Sequence, residues 1–485
     1  MSEQRATVLH NPYELVIDGD ERPAASDETM AVYDPATDFA LTEVAVATED
    51  DVSAAVDAAA DALEEWRRTP GKERARILHR FADAIREDSE RLARIESLEN
   101  GKPLSAARGQ VRRCARHFEY YGGIADKLQG ESIPLDESHV DYTIREPLGV
   151  TGHIVPWNVP IYLFGRSVAP AMAAGNTAVV KPAEETPLGA VELGRLAREV
   201  GLPDGVLNVV PGTGTEAGAA LSGHPAVDSV TFTGSGPVGT EVAKNAAEHV
   251  STVHLELGGK SPNVVFPDAN LDHAVAETMK GIFTNAGQVC SAGSRLLVHE
   301  AVHDEFVDEL AARTAELTLG PGVDDPDIGP LVSAHHHESV VEYLDVGREE
   351  VGEPVVGGGV PDRAGNFVEP TVFDGVTNDM RIAREEIFGP VLSVIEFADE
   401  AEAYEIANDS PYGLVAGVFT ENVGRAHRFA REVDAGQIYV NEWFAGGNET
   451  PFGGFKASGV GRENGVQAVD NYTQIKNVCL NVARR

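Results

Sequence analysis

Apolar and polar positions recur with two different periods along this chain, and the switches between them mark out its elements. Over residues 51–94 alanines and other apolar residues recur at three- and four-residue spacing, with a break at Thr69-Pro70-Gly71, which predicts helices. Residues 103–122 continue that period. At Val140 it changes: Asp141-Tyr142-Thr143-Ile144-Arg145 reads as a strand whose polar alternation suits a projecting ribbon rather than a core. Between 150 and 257, strands at 149–155, 177–181, 206–210 and 229–232 alternate with helices at 167–174 and 189–200, the rhythm of a doubly wound parallel sheet. A second such rhythm, from 261 to about 440, places strands at 263–266, 295–298, 391–397, 416–418 and 437–440. The stretch before 51 reads as irregular. The expected fold class is α/β, with two doubly wound Rossmann-like lobes and a small β extension.

Length agrees with two lobes, because single cores stop growing near ~250–300 residues and this chain has 485. Charge narrows the partners: 39 basic against 78 acidic residues give −39, which repels nucleic acid and anionic membrane and suggests a salt-adapted source. Three cysteines far apart, Cys114, Cys290 and Cys479, make no disulfide framework and point to a reducing cytoplasm. Met1-Ser2-Glu3-Gln4-Arg5 lacks an apolar signal core, and no apolar run is long enough to span a bilayer, so no membrane partner is expected.

The candidate chemistry begins at Cys290. It closes Phe283-Thr284-Asn285-Ala286-Gly287-Gln288-Val289-Cys290, small and turn-forming residues that suit a reachable thiol; structural cysteines are more often enclosed by apolar neighbours. Upstream, Glu256-Leu257-Gly258-Gly259-Lys260 ends a strand-like run, and its glycines leave the carboxylate in an open, flexible segment suited to a movable base. Gly234, Gly236 and Gly239 follow a strand, open a helix and match G-x-G-x-x-G, which fits backbone approach to a pyrophosphate; a glycine turn used for packing is the alternative. Lys181-Pro182-Ala183-Glu184 closes a strand, where sheet-edge ribose binding would occur. His335-His336-His337 has no carboxylate or thiolate at ligand spacing, so no metal is expected there, only a solvated helix start.

With these runs, Pro156-Trp157-Asn158-Val159-Pro160, Glu385-Glu386-Ile387-Phe388-Gly389-Pro390 and Pro451-Phe452-Gly453-Gly454-Phe455-Lys456 occur in an order that resembles the aldehyde dehydrogenase superfamily along almost the whole chain. The resemblance implies a non-acylating oxidation of an aldehyde to a carboxylate with NAD, NADP being possible. Cys290 would be the nucleophile, Asn158 with the Cys290 amide the oxyanion site, and Glu256 the base that activates water. Lys181 and Glu184 would hold the adenosine ribose, Ser235 the pyrophosphate, and Glu386 the nicotinamide ribose beside Phe388. Pro156, Trp157, Gly234, Gly239 and Leu257 would complete the cofactor site. The implied organisation is a cofactor-binding domain in residues 1–124 and 148–257, a catalytic domain in 258–457, and an oligomerisation ribbon in 125–147 and 471–485, giving a homodimer or homotetramer. The alternatives are a CoA-acylating semialdehyde dehydrogenase, which usually lacks the base, and a catalytically retired homologue.

Some positions depart from the family's pattern. Many relatives carry a lysine three residues before the proline corresponding to Pro170, in a proton relay with the carboxylate at Glu463; here the position is Ser167, beside Arg166, and Glu463 is expected either in a relay or as a structural carboxylate near Arg462. Val159 and Arg166 replace aromatic residues that enclose quaternary ammonium in betaine-aldehyde enzymes. Tyr162, Trp443 and Phe444 are candidates for a substrate funnel, with plain packing as the alternative. Cys114 and Cys479 read as ordinary helical and strand residues.

Overall fold

The computed structural model describes residues 9–483, so the Met1 to Arg5 segment lies outside the described residues. In the first lobe five parallel strands lie in the spatial order Leu207–Val209, Thr177–Pro182, Val150–Val155, Ser229–Thr233 and Thr252–Glu256. The connections reverse direction between Val150–Val155 and Ser229–Thr233, which opens a crevice at the carboxyl ends of those two strands. The residues just beyond them are Pro156-Trp157-Asn158 and Gly234-Ser235. The second lobe holds a six-stranded, wholly parallel sheet in the order Thr371–Phe373, Val391–Phe397, Arg295–His299, Pro262–Val265, Val415–Phe419, Gln437–Val440. Its strands, apart from the edge strand Gln437–Val440, are buried on both faces and run as largely apolar stretches, which makes them visible in the sequence.

Two expectations are corrected. The start is not irregular: Leu15–Ile17 and Asp20–Arg22 extend the first sheet antiparallel, and Thr29–Asp34 pairs with Phe39–Ala45. Part of their support is remote, Val16 pairing with Val209 and the Asn208 side chain accepting the Asp18 N–H at 3.0 Å, so no local pattern announces them. The helix expected from 167 starts seven residues earlier, as Pro160–Ala174. It carries proline at its first position and is buried almost all round, which erases the amphipathic period that marks a surface helix.

The β extension is a three-stranded antiparallel sheet in which Thr473–Asn481 runs from Thr473 opposite Pro147 to Asn481 opposite His139, with Ser132–Ile133 on the far side. Val140, Ile144, Ile475 and Leu480 stand exposed on it. Just before this strand, Ala468, Val469 and Tyr472 return to the core of the first lobe. Cys114 is buried in its helix and Cys479 exposed on its strand. No helix among the described residues is long and apolar enough to cross a membrane.

Candidate active site

Cys290 sits on a strained turn held from both sides. The helix Leu271–Phe283 passes into the turn Thr284–Gly287, where Asn285 and Ala286 both have φ of 54° and Gly287 has φ of 73°. A Cβ on Gly287 would fall 2.0 Å from the Gly389 carbonyl oxygen, so only glycine fits. Gln288 clamps the turn, its Nε2 donating to the Asn285 carbonyl at 3.0 Å and its Oε1 accepting the Val332 N–H at 3.0 Å. Beyond the thiol, Trp443 Nε1 donates to the Ser291 carbonyl at 3.1 Å. Trp443 is fully buried in a small core with Leu414, Val415, Tyr439 and Phe452; it braces the cysteine segment and does not line the funnel.

Asn158 follows the strand Val150–Val155 and is brought to the same point. Its Nδ2 donates to the Gln288 carbonyl at 3.0 Å. Its own carbonyl accepts from Lys102 Nζ at 2.9 Å and from Asn285 Nδ2 at 3.0 Å. Lys102 is itself buried, ion-paired with Glu96 and donating to Gln110 Oε1 at 2.5 Å. With its main-chain carbonyl held by two bonds and its side-chain amide by one, Asn158 is fixed in position beside the thiol, the kind of preorganisation that an oxyanion site needs.

Cys290 and Asn158 line two cavities, one on each side. The first, of about 170 Å³, includes Tyr162, Phe444, Arg113 and Arg166 and suits a substrate. The second, of about 300 Å³, is the crevice of the first sheet and includes Pro156, Trp157, Gly234, Ser235, Glu256, Leu257, Glu386 and Phe388. A nucleophile shared by two cavities can be met from opposite faces by two different molecules.

Glu256 is not in an open segment as its glycine neighbours suggested. It is the last residue of Thr252–Glu256, paired with Thr233 and Gly459, 3% exposed, and neither carboxylate oxygen has a hydrogen-bond partner among the described residues. Burial raises its pKa well above the usual carboxylate range, and the charge of Glu463 raises it further, against the pull of Arg166 and Arg462. Glu463 pairs with Arg166, not with Arg462, whose guanidinium donates instead to the carbonyls of Gly454 and Gly461. Ser167 merely donates to the Leu163 carbonyl one turn back, at 3.2 Å. Burial pushes the Cys290 thiol up to about 12; Arg166 pulls it down, while Glu256 and Glu386 push it up. The resting sulfur is therefore protonated at neutral pH, and a nearby base has to take that proton before attack.

The crevice fits a dinucleotide. Ser235 caps the helix Gly236–Ala247 in extended conformation without a side-chain cap bond, leaving its hydroxyl and the first-turn N–H groups for an anion. A Cβ on Gly236 would meet nothing within 4 Å, whereas one on Gly239 would strike Leu257 at 2.6 Å. Gly239 is thus a packing glycine and does not line the crevice. Trp157 and Phe388 rings stand perpendicular with centroids 5.2 Å apart. Glu386 is held by the Gly259 N–H at 3.0 Å, and its pKa rises to about 7 through burial. Lys181 and Glu184 lie apart from this crevice: Lys181 Nζ donates to Glu184 Oε2 at 3.1 Å, Gly214 N–H to Glu184 Oε1 at 2.5 Å, and Glu184 borders a separate cavity.

The histidine run does open a helix, Ala334–Glu350, but it is not simply solvated. His336 lines the crevice and bonds the Phe388 carbonyl at 2.8 Å, with its ring 5.1 Å from Trp157. His337 bonds the Phe367 carbonyl at 3.2 Å. No metal-binding group occurs among the described residues. His336, Lys102 and Arg113 escape a reading of the sequence because each acts through a partner dozens of residues away.

The model of the aldehyde dehydrogenase family matches residues 22–478. The chain is 44% identical over 486 residues to a hydroxyisobutyraldehyde dehydrogenase of Mycolicibacterium austroafricanum, covering 99% of this chain and 96% of that protein. It superposes on the NAD+ complex of an aldehyde dehydrogenase from Bacillus cereus with TM-score 0.98 at 41% identity, covering 100% and 99% of the two chains. Against betaine aldehyde dehydrogenase of Staphylococcus aureus in complex with NAD+ the TM-score is 0.97 at 37% identity, with 100% and 98% covered. On this likeness, and on a thiol, an amide and a carboxylate converging from three remote segments, the chain belongs to the aldehyde dehydrogenase family.

Proposed function

We propose that this chain oxidises an aldehyde to a carboxylate with NAD as the hydride acceptor, through a thioester on Cys290. The observation that carries the reading is the position of Cys290 and Asn158 between two cavities, with the buried carboxylate of Glu256 on the crevice wall. Glu256 takes the thiol proton, directly or through water, and the thiolate forms a bond to the aldehyde carbon. The resulting oxyanion is stabilised by Asn158 Nδ2–H and the Cys290 N–H, where one such donor is worth about 3 kcal/mol of barrier. Bound NAD supplies the acceptor for the hydride that leaves that carbon. Glu256 releases the thiol proton to solvent, then removes a proton from water as the water attacks the thioester; the C–S bond breaks, and the departing thiolate takes that proton from Glu256 to regenerate the thiol. The buried carboxylate of Glu256, able to activate water, favours hydrolysis over transfer to CoA.

The crevice lining supports Ser235 and the helix start for the pyrophosphate and Glu386 and Phe388 for the nicotinamide ribose; Lys181 and Glu184, outside that cavity, are assigned to the adenosine ribose on the family resemblance alone. The Glu184 carboxylate disfavours a 2′-phosphate, hence NAD over NADP. The exposed apolar residues of the ribbon Thr473–Asn481 with His139–Pro147 support a homodimer or homotetramer in which these edges meet. The domain boundaries given above, a cytoplasmic site and a salt-adapted source complete the reading. NADH formation from a simple aldehyde, with free acid as product whether or not CoA is present, and its loss in Cys290→Ser, tests it; acyl-CoA as the product would replace it.

A further inference from the structure

The aldehyde-side cavity collects positive charge in a chain dominated by acids. Its lining includes Arg113 and Arg166 and no aspartate or glutamate. Both guanidiniums flank one ring, Arg113 at 5.7 Å and Arg166 at 5.8 Å from the Tyr162 centroid. Their charges are not equivalent. Arg166 is enclosed and paired with Glu463, so it presents little net charge to a substrate. Arg113 is exposed, and among the described residues no carboxylate pairs with it, whereas Arg116 on the same helix is taken by Glu449 and Glu119. The helix Leu104–Gly122 is tied to the funnel wall where Asn448 Nδ2 donates to the Arg113 carbonyl at 3.1 Å, which fixes where that side chain starts. Cys290, Tyr439 and Arg113 line this one cavity, so thiol and guanidinium face the same space.

Resting on the aldehyde dehydrogenase reading above, we propose that the preferred substrate is a short oxo acid, with an aldehyde at one end and a carboxylate at the other, and that Arg113 is the residue that selects it. The planar guanidinium fork matches a carboxylate with two parallel N–H···O bonds. A cavity of about 170 Å³ keeps the chain between the two ends short. The same charge repels quaternary ammonium aldehydes.

The test reads NADH formation by the full chain with NAD, using a short unbranched oxo acid and an aldehyde of equal length ending in methyl. The wild type is expected to favour the oxo acid in kcat/KM by about tenfold or more, chiefly through KM. Arg113→Leu is expected to bring the ratio close to one, and Arg113→Lys to keep part of it, since the charge stays and the fork is lost. Both aldehydes are read on the same protein, so partial misfolding lowers both and leaves the ratio intact. Equal efficiencies in the wild type, a preference for the methyl end, or a ratio unchanged in Arg113→Leu would overturn the proposal. NADH from neither aldehyde would overturn the dehydrogenase reading instead.

Discussion

The guanidinium of Arg166 and the carboxylate of Glu463 form an enclosed ion pair beside Glu256, the proposed base, and shift its titration in opposite directions. Arg166 also lies over the Phe452 ring at 5.1 Å, so it is held by packing as well as by charge.

Removing that cation leaves Glu463 without its ion-pair partner and Glu256 with only the pull of Arg462. Arg166→Met is expected to destabilise the fold by about 3–5 kcal/mol, read as a lower denaturation midpoint. The neutral Glu463→Gln leaves Arg166 unpaired and is expected to destabilise as well. A midpoint unchanged in both would mean that the pair contributes nothing.

The pH dependence has a definite sign. Glu256 acts as a base only when ionised, and burial raises its pKa, so kcat is expected to climb with pH and level off above that raised pKa. Glu463→Gln takes away a neighbouring negative charge, which lowers the Glu256 pKa and moves the rising limb to lower pH. Arg166→Met moves it to higher pH. The two macroscopic steps belong to the coupled carboxylates together, and a limb that ignores both substitutions would assign the titration elsewhere.

The turn before Cys290 has no room for a Cβ. Gly287→Ala would place one 2.0 Å from the Gly389 carbonyl oxygen at a φ of 73°, so the thiol must shift. A displacement near 1 Å is expected to lower kcat about 100-fold while the secondary structure seen by circular dichroism is retained. Wild-type turnover in this variant would show that the thiol is not positioned by the turn.

A formal charge of −39 on 485 residues means that carboxylates repel one another across the surface. Added KCl screens them, and the unfolding midpoint is expected to rise steadily from about 0.2 M to about 2 M KCl. A flat or falling midpoint would remove the salt-adapted reading.

Much of this was legible before the fold. Most of the parallel strands read out because strands buried on two faces are short apolar runs between turns, as Val391–Phe397 is; Gln437–Val440, a partly exposed edge strand, also falls where expected, while Thr371–Phe373 is not among the expected strands. Cys290, Asn158, Glu256, Glu386 and Phe388 announce themselves through the unusual runs that hold them. What was hidden depends on remote contacts. Trp443 looks like a funnel aromatic until its Nε1 is seen bracing Ser291. Glu463 looks tied to its neighbour Arg462 until Arg166 is found beside it. Gly239 completes a phosphate-loop pattern yet serves the packing of Leu257.

The most direct test of the central claim uses Glu256→Gln, which retains the thiol and the oxyanion amide but lacks the base. Mixed with aldehyde and NAD and quenched in acid, it is expected to form NADH ~10²- to 10⁴-fold more slowly than the wild type, because thiol deprotonation and thioester hydrolysis both use that base, with acyl mass building up on the peptide that carries Cys290. NADH formation with no acyl group on Cys290, or with the group on another residue, would contradict the account.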